Sequence, residues 1–541
     1  MSPITLCTVI SRRTSLLISS LAVVAGLVIP FIGLGTYLYW TDELYQALSV
    51  RHYADAPIGM LSFYIGSLWT RLFGDSLYSL RVLMVICYQF SIALSCLFLY
   101  RRTGQTFLSS LLFMMLCAAA RFVSLPLYGW DAGAYPFMTA FAIGVLCYMD
   151  RPDLRRIALV GVLTALMALS RMSTLAALPF ILAVIIYAVR KSGASDTQVR
   201  KIVIQSAVGL AVFGLTAFAV IFLMTSGDPA AYVRAWNPDN IVNRHFDTGY
   251  LMWRLQECSR NVFTASYPMI LCFAGACLAV AARRRRVMTF ATVSAVCAFL
   301  ALNFIKFYLN SEVQPFGLLQ SFYLLILFLP WLYNLTHSRR VSADVPHLLV
   351  VTCCAMLATV GSDGFVERPM VLSTIPLLCI FTDRRLLRLI RVYTAVALVS
   401  VLIIAAYTVH LNMKTATEDL SVYDHLQGLK GDPKHPYIQK LKKINSRIDK
   451  IERDGARWAV VGTERYVFDY INHDTTSYSM HHFHYLDGPS EMEILGELCK
   501  SYDDIILLNG YTENSIVFLE AIGFRMSESD EFYRLFSRRD L

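Results

Sequence analysis

Apolar runs of about 14–25 residues follow one another from residue 15 to residue 409, separated by short polar joints. An α-helix crosses the hydrocarbon of a bilayer in about 20 residues, and fewer suffice inside a bundle. The pattern predicts about thirteen spans, at 15–38, 80–99, 106–124, 132–149, 157–170, 174–189, 203–225, 263–281, 287–306, 315–335, 346–361, 369–382 and 391–409. Past residue 409 the period changes. A polar helix to about Arg453 gives way to a strand at 458–462, helices at 464–471 and 491–500, a strand at 505–508, a helix at 514–522 and a strand at 531–536. Alternating strand and helix predict a small α/β unit. The expected fold is an α-helical polytopic membrane domain over 1–409, with an α/β domain over 410–541.

Composition strengthens the membrane reading. Of 541 residues 56% are hydrophobic and 16% charged, and the mean hydropathy is +0.51. A soluble chain of that size needs more polar surface. The net charge of +9 would suit nucleic acid, but the basic residues fall in short clusters between apolar runs, as in cytoplasmic loops. Nucleic acid is therefore not an expected partner; the lipid bilayer is. One set of alternate joints holds about 21 Lys and Arg, including Arg12-Arg13, Arg283 to Arg286 and Arg384-Arg385, and the other set about 10. This places the N-terminus in the cytoplasm and the tail outside, as expected for a multi-pass membrane protein. The first run lacks a small-residue cleavage site, so it reads as a retained helix. Most of the thirteen cysteines lie in apolar runs without C-x-x-C spacing, which predicts neither a zinc site nor a disulfide framework. Cys258 and Cys499 fall outside the spans, and sequence leaves their pairing open.

Candidate chemistry gathers on the outer side. The loop at 40–79 interleaves Leu44, Leu48, Tyr53, Leu61 and Leu68 with polar groups, the pattern of helices lying in the membrane interface. It opens with Asp42 and Glu43 at the mouth of the first span. A carboxylate there can take the proton of a hydroxyl nucleophile, worth about 10²–10⁴-fold in rate; an exposed helix-end acid is the alternative. Asp131, at the outer start of the fourth span, either shares a cavity with them or caps its helix. Outer cations are few, and three of them, Arg171, Lys306 and Arg368, stand at span ends. Such groups could stabilise the charge growing on a departing phosphate, or snorkel to headgroups. His481, His482 and His484 lack acidic or cysteine partners at useful spacing, which favours an exposed loop over a metal site. Trp236, Tyr250 and Trp253 suit an interface belt better than sugar stacking. The tail holds neither G-x-G-x-x-G nor a P-loop, so no nucleotide site is expected.

Thr41-Asp42-Glu43-Leu44-Tyr45-Gln46-Ala47 resembles the acidic pair and following aromatic of membrane GT-C glycosyltransferases, with the protein O-mannosyltransferases and the bacterial aminoarabinose lipid A transferase as nearest types. Leu72-Phe73-Gly74-Asp75-Ser76-Leu77-Tyr78-Ser79-Leu80-Arg81 is similar to the end of that family's first outer loop, and Trp130-Asp131 to its second acidic site. The chain departs from the family at Asp55-Ala56-Pro57-Ile58, where His-Pro-Pro is frequent, and at Arg171, where Lys is common. The resemblance implies a polyprenyl-phosphate-linked sugar as donor and a glycan, lipid or protein as acceptor. Asp42 would deprotonate the acceptor hydroxyl, Glu43 would orient it or hold a neighbouring cation, and Asp131 would position substrate. Arg171, Lys306 and Arg368 would hold the phosphate. No cofactor is required by sequence, and a divalent metal is left open. Two rival classes stand beside it: a transporter or flippase for an envelope glycan intermediate, which would favour repeats and mid-membrane charge, and a non-catalytic subunit.

Overall fold

The computed structural model describes residues 12–36, 40–122, 128–179, 195–235, 345–357, 372–381, 384–462, 465–472, 498–508 and 513–538, with 182–183, 185–186 and 495–496. Its helices are α1 (Arg12–Val28), α2 (Trp40–Arg51), α3 (Met60–Phe73), α4 (Leu77–Thr103), α5 (Thr106–Phe122), α6 (Trp130–Asp150), α7 (Leu154–Ser170), α8 (Asp196–Met224), α9 (Pro229–Ala235), α10 (Val345–Leu357), α11 (Ile375–Ile380) and α12 (Arg384–Thr415). The tail adds β1 (Glu418–Asp419), β2 (Lys430–Gly431), α13 (Pro436–Arg453), β3 (Trp458–Val461), α14 (Arg465–Ile471), β4 (Asp504–Leu508), α15 (Glu513–Ala521), β5 (Arg525–Ser529) and β6 (Tyr533–Ser537). Among the described residues five helices are long and apolar enough to cross a membrane: Thr14–Phe31, Leu77–Thr103, Trp130–Asp150, Asp196–Met224 and Ala397–Thr415. Thr106–Phe122 and Val345–Cys354 are apolar but shorter. The spans expected at 263–281, 287–306 and 315–335 lie outside the described residues, as does part of the one at 174–189. That one opens with a 3-10 turn, Met172–Ala177.

Local chemistry sets the helix ends. The Ser76 hydroxyl accepts from the Ser79 amide at 3.2 Å, and the Asp153 carboxylate from the Arg156 amide at 2.8 Å. Each satisfies a donor that the first turn of a helix leaves unbonded. α4 stops at Gly104, whose φ of 67° is left-handed and costs glycine little. α5 packs against α1, α4 and α12, and α6 against α3, α4 and α7. α8 lies along α7, where a Cβ on Gly161 would come within 2.3 Å of the Gly209 carbonyl oxygen. Paired small residues let the two backbones touch. α8 leaves Leu210, Leu215 and Leu223 exposed, apolar surface of the kind lipid covers.

The tail contains a four-stranded sheet in the order β3-β4-β6-β5. β3 and β4 run parallel, Trp458 opposite Asp504, and the other pairs are antiparallel. Every residue of β3 and β4 is buried, so both strands read as continuous apolar runs. The tail is joined to the helical part by backbone bonds. The Lys430 amide donates to the Gly35 carbonyl at 2.8 Å, and the Leu77 amide to the His425 carbonyl at 2.9 Å.

Candidate active site

One end of the helical part collects the end of α1, the starts of α4 and α6, and the ends of α5 and α7. α2 and α3 lie among them. α2 is enclosed from Glu43 to Val50, polar residues included. Its buried polar groups therefore need partners, and those partners define the site.

Glu43 is held by Arg81, four residues past the start of α4. Arg81 Nε donates to Glu43 Oε1 at 2.6 Å and Nη2 to Oε2 at 2.7 Å. The third guanidinium nitrogen donates to the Leu34 carbonyl at 2.7 Å. The two side chains are 0% and 1% exposed. The parallel two-bond geometry is the strongest that Arg and a carboxylate form. It locks the start of α2 to the end of the first span. Arg121, buried at the end of α5, donates to the neighbouring Gly33 carbonyl at 3.2 Å. Two guanidinium groups thus converge on the turn that follows α1.

The second constellation joins α6 and α7. Asp131, in the first turn of α6, takes a hydrogen bond from Arg171, the residue that ends α7, and both side chains are buried. Ser62 of α3 ties the same two ends together. Its hydroxyl lies 3.2 Å from both the Trp130 and Ser170 carbonyl oxygens. The Tyr128 hydroxyl donates to the Ser62 carbonyl at 2.6 Å. Tyr45 of α2 meets Trp130 edge to face, with ring centroids 6.2 Å apart.

Structure thus brings together four of the groups that sequence put on the outer side or in the first-loop stretch: Asp131 with Arg171, and Glu43 with Arg81. Asp42 lies in the first turn of α2, about 100° round the helix from Glu43; its side chain lies outside the described residues. Lys306, Arg368, the three histidines at 481–484 and the aromatics Trp236, Tyr250 and Trp253 are also outside them. Cys499 is a free, buried thiol, and Cys258 is not among the described residues. Among the described residues no three His, Cys, Asp or Glu side chains gather as a metal site would require.

Sequence reasoning passed over Arg81 as a partner, and passed over Arg121 altogether. Both sit inside or at the rim of apolar runs, and a guanidinium in such a place needs an internal partner. That was the available signal. It also passed over the clamp at the other end of α2. There Arg51 donates to Asp75 at 3.0 Å and to the Tyr470 carbonyl of α14 at 2.9 Å, with its guanidinium 4.1 Å from the centre of the Tyr470 ring. His425 Nδ1 donates to the Asp75 carbonyl at 2.7 Å. Burial pushes the Tyr470 phenol above the ordinary tyrosine range, and the Arg51 charge pulls it partly back.

No protein-family model matches the sequence, and no curated protein matches it either. Among solved structures the chain is similar to ArnT from Cupriavidus metallidurans bound to undecaprenyl phosphate, with 10% identity, a TM-score of 0.43, and coverage of 96% of this chain and 97% of that one. The apo form of the same ArnT gives 12% identity and a TM-score of 0.46, with the same coverage. The Archaeoglobus fulgidus oligosaccharyltransferase, in complex with zinc and sulfate, gives 13% identity and a TM-score of 0.48, with coverage of 96% of this chain and 73% of that one.

Proposed function

We propose that the chain is an integral membrane glycosyltransferase of the GT-C type. It moves a sugar from a polyprenyl-phosphate donor to an acceptor hydroxyl on the extracytoplasmic face of the inner (plasma) membrane. The acid-aromatic stretch at Thr41 to Ala47 motivates the family, and one observation carries the site. Positions 42 and 46 are one helical turn apart and share a face of α2. Gln46 lies against Gly129, which directly precedes Trp130 and Asp131. That face of α2 therefore looks toward the Asp131–Arg171 pair, while Glu43 is committed to Arg81.

The step follows from these roles. Asp42 takes the proton of the acceptor hydroxyl, and the oxygen attacks the sugar's anomeric carbon as its bond to the phosphate oxygen breaks. One base on the acceptor side gives inversion. The electron pair leaves with the polyprenyl phosphate, whose growing charge is met by Arg171, Lys306 and Arg368. Glu43, fixed by Arg81, holds the turn that presents Asp42. Asp131 holds Arg171 in one orientation, so no reorganisation is needed as charge develops. The step balances without a cofactor. In this reading the N-terminus is cytoplasmic and the tail domain extracytoplasmic.

Purified protein should transfer sugar from a polyprenyl-phosphate donor, and Asp42→Asn should lower kcat at least about 10²-fold while keeping the wild-type melting temperature. Full activity in that variant would remove the base assignment. Vectorial solute uptake into proteoliposomes without transfer would establish the transporter in its place.

A further inference from the structure

Inside a helix a buried serine hydroxyl commonly turns back on its own chain. Ser49 donates to the Tyr45 carbonyl at 3.0 Å, Ser91 to the Cys87 carbonyl at 2.7 Å and Ser95 to the Ile92 carbonyl at 3.0 Å. Ser62, in the first turn of α3 and 0% exposed, reaches to two other helices instead. Its hydroxyl lies 3.2 Å from the Trp130 carbonyl oxygen and 3.2 Å from that of Ser170. A carbonyl shares one plane with the amide that follows it. Ser62 therefore rests on the two peptide planes that lead into Asp131 and Arg171. Arg171 is extended where it leaves α7, with φ −158° and ψ 99°. The direction of its side chain there depends on what holds the flanking peptides. Ser62 holds the one before it, and the Thr174 hydroxyl donates to the Arg171 carbonyl at 2.6 Å on the one after it.

Resting on the glycosyl-transfer reading, we infer that Ser62 is a positioning residue, which sets the Asp131 and Arg171 backbones relative to each other so that the Arg171 guanidinium meets the departing phosphate. One hydroxyl has a single proton to give. Both contacts are also longer than the about 2.7–2.8 Å usual for a hydroxyl donor. The bond is thus shared between α6 and α7, and registers one helix against the other. A fixed cation stabilises growing charge well because it need not reorganise as the charge appears. A shift of about 1 Å in such a group can cost about 100-fold in rate.

Full-length protein in detergent is compared as wild type, Ser62→Ala and Ser62→Cys, with polyprenyl phosphate as inhibitor. The donor phosphodiester carries one negative charge, and the phosphate monoester left after transfer about 1.5–2 at pH 7, so the product resembles the developing leaving group. Ser62→Ala removes the hydroxyl and adds no atoms. It should lower kcat about 10-fold and raise the polyprenyl phosphate inhibition constant about 10-fold, with the donor KM within about twofold of wild type. A residue that matters only for folding would reduce the number of active molecules. That lowers apparent kcat and leaves the inhibition constant at the wild-type value, an outcome that would overturn the inference. Ser62→Cys keeps a weak donor and should raise the constant less, about 3-fold. It decides the question if the alanine variant does not fold, and a wild-type constant in it would count against Ser62. Ser95→Ala deletes an equally buried hydroxyl in the second half of α4 and should leave both constants unchanged; a matching loss there would mean general loosening. In an Arg171→Gln background the cation is gone, and adding Ser62→Ala should weaken polyprenyl phosphate binding no further. A further loss would show that Ser62 does not act through Arg171. If wild type transfers no sugar, the reaction reading fails. Direct binding of polyprenyl phosphate then decides: Ser62→Ala should still bind about 10-fold more weakly, and equal binding, or none by wild type, would overturn the positioning role.

Discussion

α2 carries an arginine–carboxylate contact at each end, and the two are built differently. At its start Arg81 grips Glu43 with both side chains shut away from water, 0% and 1% exposed. At its end Arg51 meets Asp75 with the side chains 17% and 38% exposed. The distances are close, 2.6 Å and 3.0 Å, but the energetics are not. Two ions taken out of water repay much of their desolvation through each other, so losing one partner leaves the other charge poorly compensated. A pair that water reaches gains little and loses little. The start of α2 is thus rigid by necessity. Its end is held by weaker contacts: an ion pair to Asp75, in the joint before α4, and a hydrogen bond and a ring contact to Tyr470 in the tail.

The contrast can be broken most severely at Arg81. Arg81→Met leaves Glu43 buried without its cation and should cost about 3–5 kcal/mol, read as a fall in melting temperature with loss of transfer activity. The pair replacement Glu43→Leu with Arg81→Met should recover most of that stability and none of the activity. If the double variant were as unstable as the single one, the loss would be one of packing rather than of charge. Arg51→Ala should cost less, about 1–2 kcal/mol from the combined loss of a partly exposed pair, one hydrogen bond and the ring contact. Hydrogen exchange should quicken in α14 and the second half of α2 while the start of α2 stays protected. Uniform exchange along α2 would contradict a helix anchored unequally at its two ends.

The smallest effect is expected where water is most present. In the tail, Lys443 donates a hydrogen bond to Asp530. That bond lowers the Asp530 pKa and raises that of Lys443. A depressed carboxylate pKa contributes stability above the unfolded value of about 4 and loses it as pH falls through the folded value. A raised lysine contributes below about 10.5 and loses it as pH rises through its folded value. Asp530→Asn should therefore lower the melting temperature slightly at neutral pH, with the difference gone below the folded carboxylate pKa and reduced by added salt. A difference that survives acid and salt would show that the contact is not electrostatic.

Sequence made some of this legible, and its failures share a cause. α4, from Leu77 to Thr103, was visible as a span at 80–99 because an apolar run is a local signal. β3 and β4 were visible for the same reason, since burial on both faces leaves uninterrupted apolar runs. β5 was not. Its Arg-Met-Ser-Glu-Ser is exposed at nearly every position and shows neither alternation nor hydrophobicity. The acids Asp42, Glu43 and Asp131 were legible because a charge beside an apolar run is a local feature of the sequence. That Arg81 pairs with Glu43 and Arg171 with Asp131 was not legible, because pairing is decided by the fold. Arg81 is 38 residues from Glu43 along the chain and Arg171 is 40 from Asp131, and no periodicity links them. Gln46 offered least of all: a neutral amide on a helix reads as surface until its burial against Gly129 is seen.

Arg51 and the Tyr470 carbonyl that it binds lie 419 residues apart. The ribosome adds about 5–20 residues per second, so roughly 20–80 s separate the synthesis of the two halves of that contact. For that interval the far end of the acid-bearing helix has its ion pair to Asp75 but lacks its contacts to Tyr470. Arg81, made within seconds of Glu43, can already have closed its end. The protein is therefore expected to mature in two stages. An early assembly of the first spans around the Glu43–Arg81 lock is followed by arrest of the far end of α2 once the tail has been made and folded. A chain stalled or truncated before the tail would keep its acids and lack the brace that steadies them.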